Sequence, residues 1–329
     1  MRIFVQSSAF LPTPATGAGA VEYLAHKLAG GLAKRGHDVH LFALERSTAP
    51  AGVELHTTPN TGPIHRREHD LAWRMKSLPP PDVLFDHSLL AIAQAGSGEE
   101  FADTVPTVTM IHGMAPLPDH AKNLVFTSRH HGRLHKVANP VPLHIGIDVD
   151  AVPEPNEDRE NQLVWLGRII PYKRLEVAMD IAARASLPLV YAGPAPQPAY
   201  HASCRRVNPQ ALYLGEIDHA RALRLLTRSK ALLFTSSDAE PAGLVMLEAA
   251  AAGCPVFAFD HGANPEFIQP GETGWMFDDV RLIASAIGRV ADGFDRHAMR
   301  RQVKMRFGID RMVKQAEAFL ERSVRGERW

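Results

Sequence analysis

Short apolar segments alternate with segments of helical periodicity along most of the chain, and this alternation constrains the fold more than any other feature. The opening residues set the pattern: Arg2–Gln6 and Asp38–Leu44 are short apolar runs, and residues 20–35 between them carry apolar side chains at helical spacing. Gly36 is placed to end that helix. The pattern predicts a βαβ unit at the start of the chain.

The same alternation continues to about residue 137. Further strands are predicted at 53–57, 82–86, 105–111 and 124–128, and helices at 65–77, 88–95 and 129–137. These strand segments are apolar throughout rather than alternating in polarity. That composition is typical of parallel strands covered by helices on both faces.

A polar, proline-containing stretch at 152–161 then interrupts the alternation and predicts a linker. Strands are predicted again at 162–166, 188–192, 211–214, 231–235 and 255–259, and helices at 172–185, 218–228, 242–252, 280–290 and 310–324. We therefore predict an α/β protein with two doubly wound, Rossmann-like domains, residues 1–148 and 162–329, joined by a linker at 149–161. The sequence leaves open whether the last helix packs on the second domain or crosses back to the first. Ligands of such sheets bind beyond the carboxyl ends of the strands, so we expect two sheets facing across a cleft.

Charge and composition exclude several classes of protein. The 329 residues contain 36 basic and 36 acidic side chains, and the first 150 contain 13 and 14, so neither half is a basic nucleic-acid-binding module. Apolar runs are too short for a membrane span, and the first strand begins at Arg2, so we expect no signal peptide, no stable membrane association and a cytoplasmic location. Cys204 and Cys254 are expected to be reduced, buried thiols. Oligomeric state is left open.

The segment 236–256 combines features of an anion site and a ribose site. Gly243 and Leu244 lie where a loop becomes a helix, so backbone N–H groups should point outward from the helix start. Glu248 is the only charged side chain of the apolar helix that follows, and ribose hydroxyls would satisfy its carboxylate. Glu240 lies on the loop itself. Two alternatives are kept: Glu240 caps the helix, and Glu248 meets an arginine in the core.

The second informative segment is basic and follows the first predicted strand of the second domain. Arg168, Lys173 and Arg174 lie in the loop and first helical turn, and three cations at a strand's carboxyl end suit a diphosphate. The alternative is a solvated basic turn, which is the expectation for Arg174. Arg168 directly follows Gly167 and is the strongest candidate.

These motifs resemble those of the retaining GT-B glycosyltransferases of family 4, which use nucleoside diphosphate sugars. The matching features are GR followed by P-x-K-R, then E-P-x-G-L-x-x-x-E, G-x-P-V and N-P-E-F-I, strongest over residues 164–275. In the first half the resemblance extends to the segment 17–43, to residues 111–113 and to residues 145–148. The resemblance implies the GT-B fold and a nucleotide sugar as donor.

The resemblance also assigns roles within the second domain. Arg168 and Lys173 would bind the donor pyrophosphate, Glu240 would meet hydroxyls of the transferred sugar as a catalytic residue, and Glu248 would bind the ribose. The backbone of residues 242–244, including Gly243 and Leu244, would hold the sugar and distal phosphate. Gly215 and Ile217 would line the base.

In the first domain the same resemblance places Gly17 and Gly19 near the donor phosphate and the acceptor. His112, at the carboxyl end of a predicted strand, would lie near the donor sugar as a second catalytic residue. Without the resemblance, His112 would be interpreted as a loop histidine with its hydrogen bonds satisfied. Of the 17 histidines, 13 lie in the first 150 residues, and His112 is the one placed in the site.

No acidic cluster is placed to hold a metal on the donor phosphates, so cations and the helix dipole are expected to stabilise the leaving group. His131 and His135 have the spacing of a zinc pair, but the sequence near them offers neither a HExxH glutamate nor a cysteine. We expect no metal and no cofactor. Transfer with retention, by a front-face route, follows from the resemblance alone.

The acceptor is expected to be a small molecule of saccharide or natural-product type, because the first domain is neutral. Two other hypotheses remain: a nucleotide-sugar epimerase of similar architecture, and a non-catalytic nucleotide-sugar-binding protein. A dehydrogenase using NAD fits less well, since the sequence from Gly17 does not complete GxGxxG and Leu44 ends the second strand without an acidic residue.

Overall fold

A computed structural model describes residues 1–15, 19–94, 105–156 and 158–329. The chain forms two compact units, and each is described by itself. Unit 1 comprises residues 1–146 and 309–329, and unit 2 comprises residues 147–308. Among the described residues, no helix combines the length and apolar character needed to cross a lipid bilayer.

Unit 1 is built from strands and helices that alternate along residues 1–146. Its strands are β1 (Arg2–Gln6), β2 (Asp38–Leu44), β3 (Val53–Thr58), β4 (Val83–Asp86), β5 (Thr107–Ile111) and β6 (Leu124–Phe126). Its helices in this stretch are α1 (Ala20–Lys34), α2 (Ile64–Lys76) and α3 (Arg129–Leu134).

Unit 2 repeats this organisation. Its strands are β7 (Glu160–Leu166), β8 (Leu189–Ala192), β9 (Leu212–Tyr213), β10 (Ser229–Phe234), β11 (Val256–Phe259) and β12 (Gly274–Phe277). Its helices are α4 (Leu175–Ala185), α5 (Pro198–Val207), α6 (His219–Arg228), α7 (Leu244–Ala251), α8 (Asn264–Phe267), α9 (Val280–Val290) and α10 (Arg296–Phe307). Short 3-10 turns lie at Val149–Ala151, Pro171–Lys173 and Ala291–Gly293. A final helix, α11 (Ile309–Val324), belongs to unit 1.

The two sheets have the same topology. In unit 1 the strand order is β3-β2-β1-β4-β5-β6, and in unit 2 it is β12-β11-β10-β7-β8-β9; all neighbouring strands pair in parallel. Counted within each unit, both follow the doubly wound order 3-2-1-4-5-6. The prediction of two Rossmann-like domains is confirmed. The order reverses between β1 and β4 in unit 1 and between β7 and β10 in unit 2.

Burial on both faces explains why the strand sequences are apolar throughout. Every residue of β4, β5 and β10 is buried. In unit 1, Phe4, Phe42 and Leu84 pack with Leu71 and Met75 of α2. Burial of such a side chain contributes about 1.5–3 kcal/mol, so these layers hold the strand ends in fixed positions.

The helix predicted at 88–95 is wrong for residues 88–94, which form loop and turn. The Glu68 carboxylate accepts hydrogen bonds from the backbone N–H groups of Leu89 and Leu90, at 2.9 and 3.0 Å. The Ser88 hydroxyl accepts another from Ala91 N at 3.1 Å. Side chains therefore take the backbone donors that a helix would have used.

Several elements of unit 2 are absent from the sequence prediction. α5 has a single fully buried side chain, Cys204, and α10 carries its apolar residues among basic ones, so their helical periodicity is weak. β12 is a strand of only four residues, GWMF, and pairs with β11 at the edge of the sheet. Short or largely exposed elements give little apolar signal, which explains their omission.

The C-terminal helix α11 packs on unit 1, against α1, β4 and β5. Val313 occupies the space beside Gly31 of α1, where an added Cβ would lie 2.3 Å from its Cγ2. Glu317 forms an ion pair with Arg35 at 2.6 Å and a hydrogen bond with Nε2 of His37 at 2.8 Å. These contacts fasten the last helix to the first domain.

Two buried arginines of α10 hold residues 149–156 against the rest of unit 2. Arg296 donates hydrogen bonds to the carbonyls of Asn156, Thr227 and Ser229, at 2.6–3.2 Å. Arg300 donates to the carbonyls of Val149, Val152, Pro153 and Ala251, at 2.8–3.2 Å. Most of the segment predicted to link the domains is therefore a fixed part of unit 2.

Replacing Arg300 with Gln removes donors from these carbonyls in a buried setting. We expect the variant to lose about 2 kcal/mol of stability, which lowers the melting temperature of unit 2 by about 4–8 °C. Differential scanning calorimetry measures this change. The matched control is Arg301→Gln, because Arg301 is exposed and its only ion pair in the described part of the chain is with Asp295 at 3.7 Å. Equal melting temperatures for the two variants would contradict the proposed anchoring.

Candidate functional site

The polar residues of unit 2 gather where the strand order reverses, beyond the carboxyl ends of β7 and β10. A hydrogen-bonded connection holds the loops of these two strands together. Thr235, after β10, accepts a hydrogen bond from the indole N–H of Trp165 at 3.2 Å and donates to the carbonyls of Lys173 and Arg174 at 3.1 and 2.9 Å. Ser237 N donates to the carbonyl of Tyr172 at 2.8 Å. The basic loop predicted from the sequence is thus fixed beside the end of β10.

The loop after β8 closely approaches the start of this basic loop. Gly193 has a φ of 140°, and a Cβ placed there would lie 1.9 Å from the carbonyl oxygen of Gly167. Only glycine combines this backbone conformation with the close approach. The carbonyl of Gly193 also accepts a hydrogen bond from the Tyr213 hydroxyl at 2.8 Å. Gly167, and therefore the position of Arg168, depends on this packing.

The three cations of the basic loop have different environments. Arg168 is exposed, and its side chain forms no hydrogen bond or ion pair with the residues that the structure describes. Arg174 has a positive φ of 54°, and its guanidinium lies 5.0 Å from the centre of the Phe259 ring. Arg168 is therefore available to an anion, while Arg174 packs against an aromatic ring.

Lys173 and Glu240 form an ion pair that joins the two loops. Their side chains are 18% and 13% exposed, and the Lys173 ammonium also lies 5.3 Å from the centre of the Tyr172 ring. Glu240 does not cap α7, because its carboxylate bonds to Lys173 and to no backbone N–H of that helix among the described residues. The structure thus brings two predicted site residues into direct contact.

The start of α7 lies next to this pair in sequence and has the features expected of an anion site. Gly243 is its N-cap, and the first turn contains no acidic side chain to neutralise the positive end of the helix. A Cβ at Gly243 would lie 2.8 Å from both Phe234 and Met246, so a side chain does not fit. Leu244, the first helical residue, is half-buried.

Glu248, one turn further along α7, contacts a histidine rather than an arginine. Its Oε1 lies 2.7 Å from Nε2 of His219, and its side chain is 13% exposed. His219 begins α6, two residues after Ile217, and Gly215 in the same loop has a φ of 76°. The predicted base loop therefore leads directly to the predicted ribose carboxylate. His219 is absent from the sequence prediction, although its position after that loop is a usable signal.

Unit 1 has a second polar cluster where its strand order reverses. Gln6 ends β1 and is fully buried, and within the described structure neither its side-chain nitrogen nor its oxygen has a hydrogen-bond partner. His87 follows β4 and is also buried; its Nδ1 lies 2.9 Å from Nε2 of His112, which follows β5. Gln6 and His87 are missing from the sequence prediction. Both end apolar runs at the same edge as His112, which is the signal that could have found them.

Burial controls the protonation of this histidine pair. It lowers the pKa of His87 to about 3. Burial, together with the neighbouring His87 and His131, lowers the pKa of His112 well below its usual value. Nε2 of His87 has no hydrogen-bond partner among the described residues. A pair of neutral imidazoles suits hydrogen bonding to hydroxyl groups better than it suits binding to anions.

Other predicted residues have the following positions. Gly19 is the N-cap of α1, with no side-chain capping hydrogen bond, and Gly17 lies outside the described residues. His131 and His135 both direct Nε2 at the carbonyl of Gly113, at 3.0 and 2.9 Å. The carbonyl oxygen of Gly113 therefore occupies the place between the two imidazoles that a zinc ion bound by them would take. Cys204 and Cys254 are free and buried, as predicted.

Comparison with known families agrees with the motifs of unit 2. Residues 148–304 match the family described as Glycosyl transferases group 1. These residues are similar to a group 1 glycosyltransferase domain, which agrees with the resemblance to glycosyltransferases found in the sequence.

Two similar curated proteins match parts of the chain. One is an alpha-1,3/1,6-mannosyltransferase, alg-2, of Neurospora crassa, 32% identical over 127 residues, which are 36% of this chain and 27% of that protein. The other is a glycogen synthase of Mycobacterium tuberculosis, 39% identical over 89 residues, which are 26% of this chain and 21% of that protein. The matched regions thus span about a quarter of these relatives' lengths.

Solved structures share the fold of this chain. AviGT4, involved in avilamycin A biosynthesis, is 21% identical with a TM-score of 0.81 and covers 100% of this chain and 99% of its own. HepE of Anabaena, solved with UDP and glucose, is 16% identical with a TM-score of 0.73, at 98% and 99% coverage. Similarity at this identity establishes the fold, which is that of the GT-B glycosyltransferases.

The pKa of His87 generates a prediction about acid. Unfolded histidine has a pKa of about 6.5, whereas burial lowers that of folded His87 to about 3. The unfolded chain therefore binds more protons in this window, so the stability contributed by His87 is present above about pH 6.5 and is lost as the pH falls. NMR of the imidazole nitrogens should show His87 neutral down to about pH 4, with His87→Gln identifying its signal. Protonation above about pH 5 would contradict burial as the controlling factor.

Proposed function

We propose that this chain transfers a sugar from a nucleoside diphosphate sugar to a hydroxyl of a small acceptor, of saccharide or natural-product type, with retention and without a metal. The observation that carries the proposal is the Lys173–Glu240 pair, formed by a basic loop that also carries exposed Arg168, within the residues that match the group 1 family. Supporting it are the uncapped start of α7 and the half-buried Glu248 beyond it.

Charge is the reason to assign the donor diphosphate to unit 2. A diphosphate needs cations and N–H donors at the strand ends, and Arg168 offers a guanidinium fork that no described side chain already engages. The N-terminus of α7 adds a partial positive charge close to Gly243 and Leu244. As the bond to the sugar breaks, negative charge grows on the diphosphate, and these groups stabilise it. They supply the stabilisation for which other enzymes use a metal.

Lys173 and Glu240 divide the work between phosphate and sugar. The ion pair fixes Glu240 while its second carboxylate oxygen remains able to accept hydrogen bonds from sugar hydroxyls. Lys173 is positioned by the same contact to place positive charge next to the distal phosphate. Glu248 is held by a hydrogen bond to His219. The hydroxyls of a bound ribose would donate to the Glu248 carboxylate, either beside His219 or in its place. Gly215 and Ile217 then lie on the side where the base would bind.

The acceptor is assigned to the polar groups of unit 1. Among the described residues, the side-chain amide of Gln6 has no hydrogen-bond partner. Burial lowers the pKa values of His87 and His112, which favours neutral imidazoles. Such uncharged groups suit hydroxyls, because a buried polar group is stable only when a hydrogen bond satisfies it. These groups favour the substrate class proposed above, a small acceptor of saccharide or natural-product type.

Replacing Arg168 with Ala should separate diphosphate binding from nucleoside binding. We expect the affinity for UDP or GDP to fall about 10–100-fold, because a charged hydrogen bond is lost, while affinity for uridine or guanosine stays unchanged. Isothermal titration calorimetry compares the four ligands. Arg184→Ala is the control, since Arg184 is exposed on α4 and pairs with Asp180. Equal loss of diphosphate and nucleoside binding would show that Arg168 is structural.

Replacing Glu240 with Gln should depress turnover while the nucleotide still binds. The amide keeps the shape but loses the negative charge that pairs with Lys173 and meets the sugar. NMR of UDP-sugars and GDP-sugars incubated with the protein, with and without saccharide acceptors, follows donor hydrolysis and transfer. Asp238→Asn, on the same loop and exposed, is the control.

The same spectra test the finer parts of the proposal. The product of the unaltered protein should keep the anomeric configuration of the donor, and the opposite anomer would contradict retention. Activity should survive EDTA; its loss would contradict metal independence. Release of a free epimer from the donor alone would favour an epimerase, and tight donor binding without turnover would favour a binding protein.

A further inference from the structure

Three metal-binding side chains meet on one face of the unit 1 sheet, remote in sequence from the residues assigned to the donor. They are His40 of β2 and Glu54 and His56 of β3, and the register pairs His40 with Glu54 and Phe42 with His56. Because parallel neighbours in register point to the same face, one face carries all three. β3 is the edge strand of this sheet.

The three side chains direct ligand atoms at a common point. Nδ1 of His40 lies 2.9 Å from Nε2 of His56 and 3.6 Å from Oε2 of Glu54, and Nε2 of His56 lies 3.3 Å from Oε1 of Glu54. A tetrahedral zinc ion with bonds of about 2.0–2.2 Å separates its ligands by about 3.3–3.5 Å. The observed distances bracket that spacing, so small side-chain rotations would suffice to surround an ion.

We propose that His40, Glu54 and His56 form a binding site for one divalent transition-metal ion of the zinc class. Nδ1 of His40, Nε2 of His56 and the Glu54 carboxylate would be the ligands, and water would complete the tetrahedron. Two imidazoles with one carboxylate are a ligand set that zinc accepts.

The surroundings of the two imidazoles support coordination. Both histidines are buried, at 8% and 5% exposure, while Glu54 is exposed and gives an ion a path from solvent. Nε2 of His40, the nitrogen away from the site, lies 3.4 Å from Oδ1 of Asp38. That nitrogen has no hydrogen-bond partner among the described residues, so the Asp38 carboxylate is a nearby negative charge and not yet a support for the ring.

The charged side chains around the site include both signs, and the negative ones outnumber the positive one. Burial is the main cause of the lowered pKa of His56, and a lowered pKa favours the neutral ring that binds metal. Arg74 of α2 also lowers that pKa, so one positive charge opposes the ion. The carboxylates of Glu54 and Asp38 offset it, each lying within 3.6 Å of a ring nitrogen.

The site would tie the edge strand β3 to β2. Binding that favours the folded state stabilises it, so the ion would act on unit 1 stability rather than on the donor phosphates. This inference goes beyond the proposed function and does not depend on it. The alternative is a metal-free histidine pair joined by a single hydrogen bond.

Zinc binding to untagged protein, freed of metal by EDTA and then dialysed, tests the proposal. Calorimetric titration with zinc chloride should give one ion per chain, and cobalt(II) should produce the intense visible absorption of a four-coordinate site. Zinc should also raise the melting temperature. Glu54→Gln is the main variant, because the Glu54 side chain is exposed and its replacement should not disturb folding. His56→Gln is the second variant. Each should weaken zinc binding at least about tenfold and remove the thermal shift.

Two controls on α2 account for adventitious binding by a histidine-rich chain. His65→Gln and Asp70→Asn remove an exposed imidazole and an exposed carboxylate outside the cluster. Both should bind zinc like the unaltered protein. Failure of the unaltered protein to bind one zinc ion, or unchanged affinity in Glu54→Gln, would overturn the proposal and leave the hydrogen-bonded pair as the explanation.

Discussion

Parallel pairing of every strand in both sheets is the constraint on which the rest of this structure depends. Parallel strands present all their carboxyl ends at one edge, and the order 3-2-1-4-5-6 opens a crevice between the first and fourth strands of each unit. In unit 2 that crevice collects Arg168, Lys173 and Glu240. In unit 1 it collects Gln6, His87 and His112. The topology thus places chemistry-bearing side chains together although they are far apart in the sequence.

The two crevices differ in charge, and that difference matches the two reactants of the proposed transfer. Unit 2 combines basic side chains with a helix N-terminus, which suits a diphosphate. Unit 1 offers an amide and two imidazoles kept neutral by burial, which suits hydroxyls. The histidine excess of the first half also has more than one structural use. His37 binds the last helix, His131 and His135 hold a loop carbonyl, and His40 and His56 form the proposed metal site.

Agreement between sequence and structure is best where burial is complete. β1 and β2 have the predicted bounds, because an uninterrupted apolar run admits few alternatives. Prediction failed at residues 88–94, where the Glu68 carboxylate, distant in sequence, takes the backbone donors of a helix. It also omitted β12 and α10, whose apolar positions are few. In the site, motifs identified Arg168, Glu240 and Glu248, whereas Gln6, His87 and His219 belong to no motif.

The sequence by itself determined the fold class, the repetition of the doubly wound pattern and the family resemblance of the second half, because these follow from local periodicity and contiguous motifs. Only the tertiary structure decided which side chains meet. The pairing of Lys173 with Glu240 and of Glu248 with His219 joins separate loops. The three-residue cluster on β2 and β3 depends on strand register, and the packing of α11 on unit 1 depends on complementary surfaces. Such contacts depend on how the helices and strands are arranged in space, and the sequence of a single segment does not contain that information.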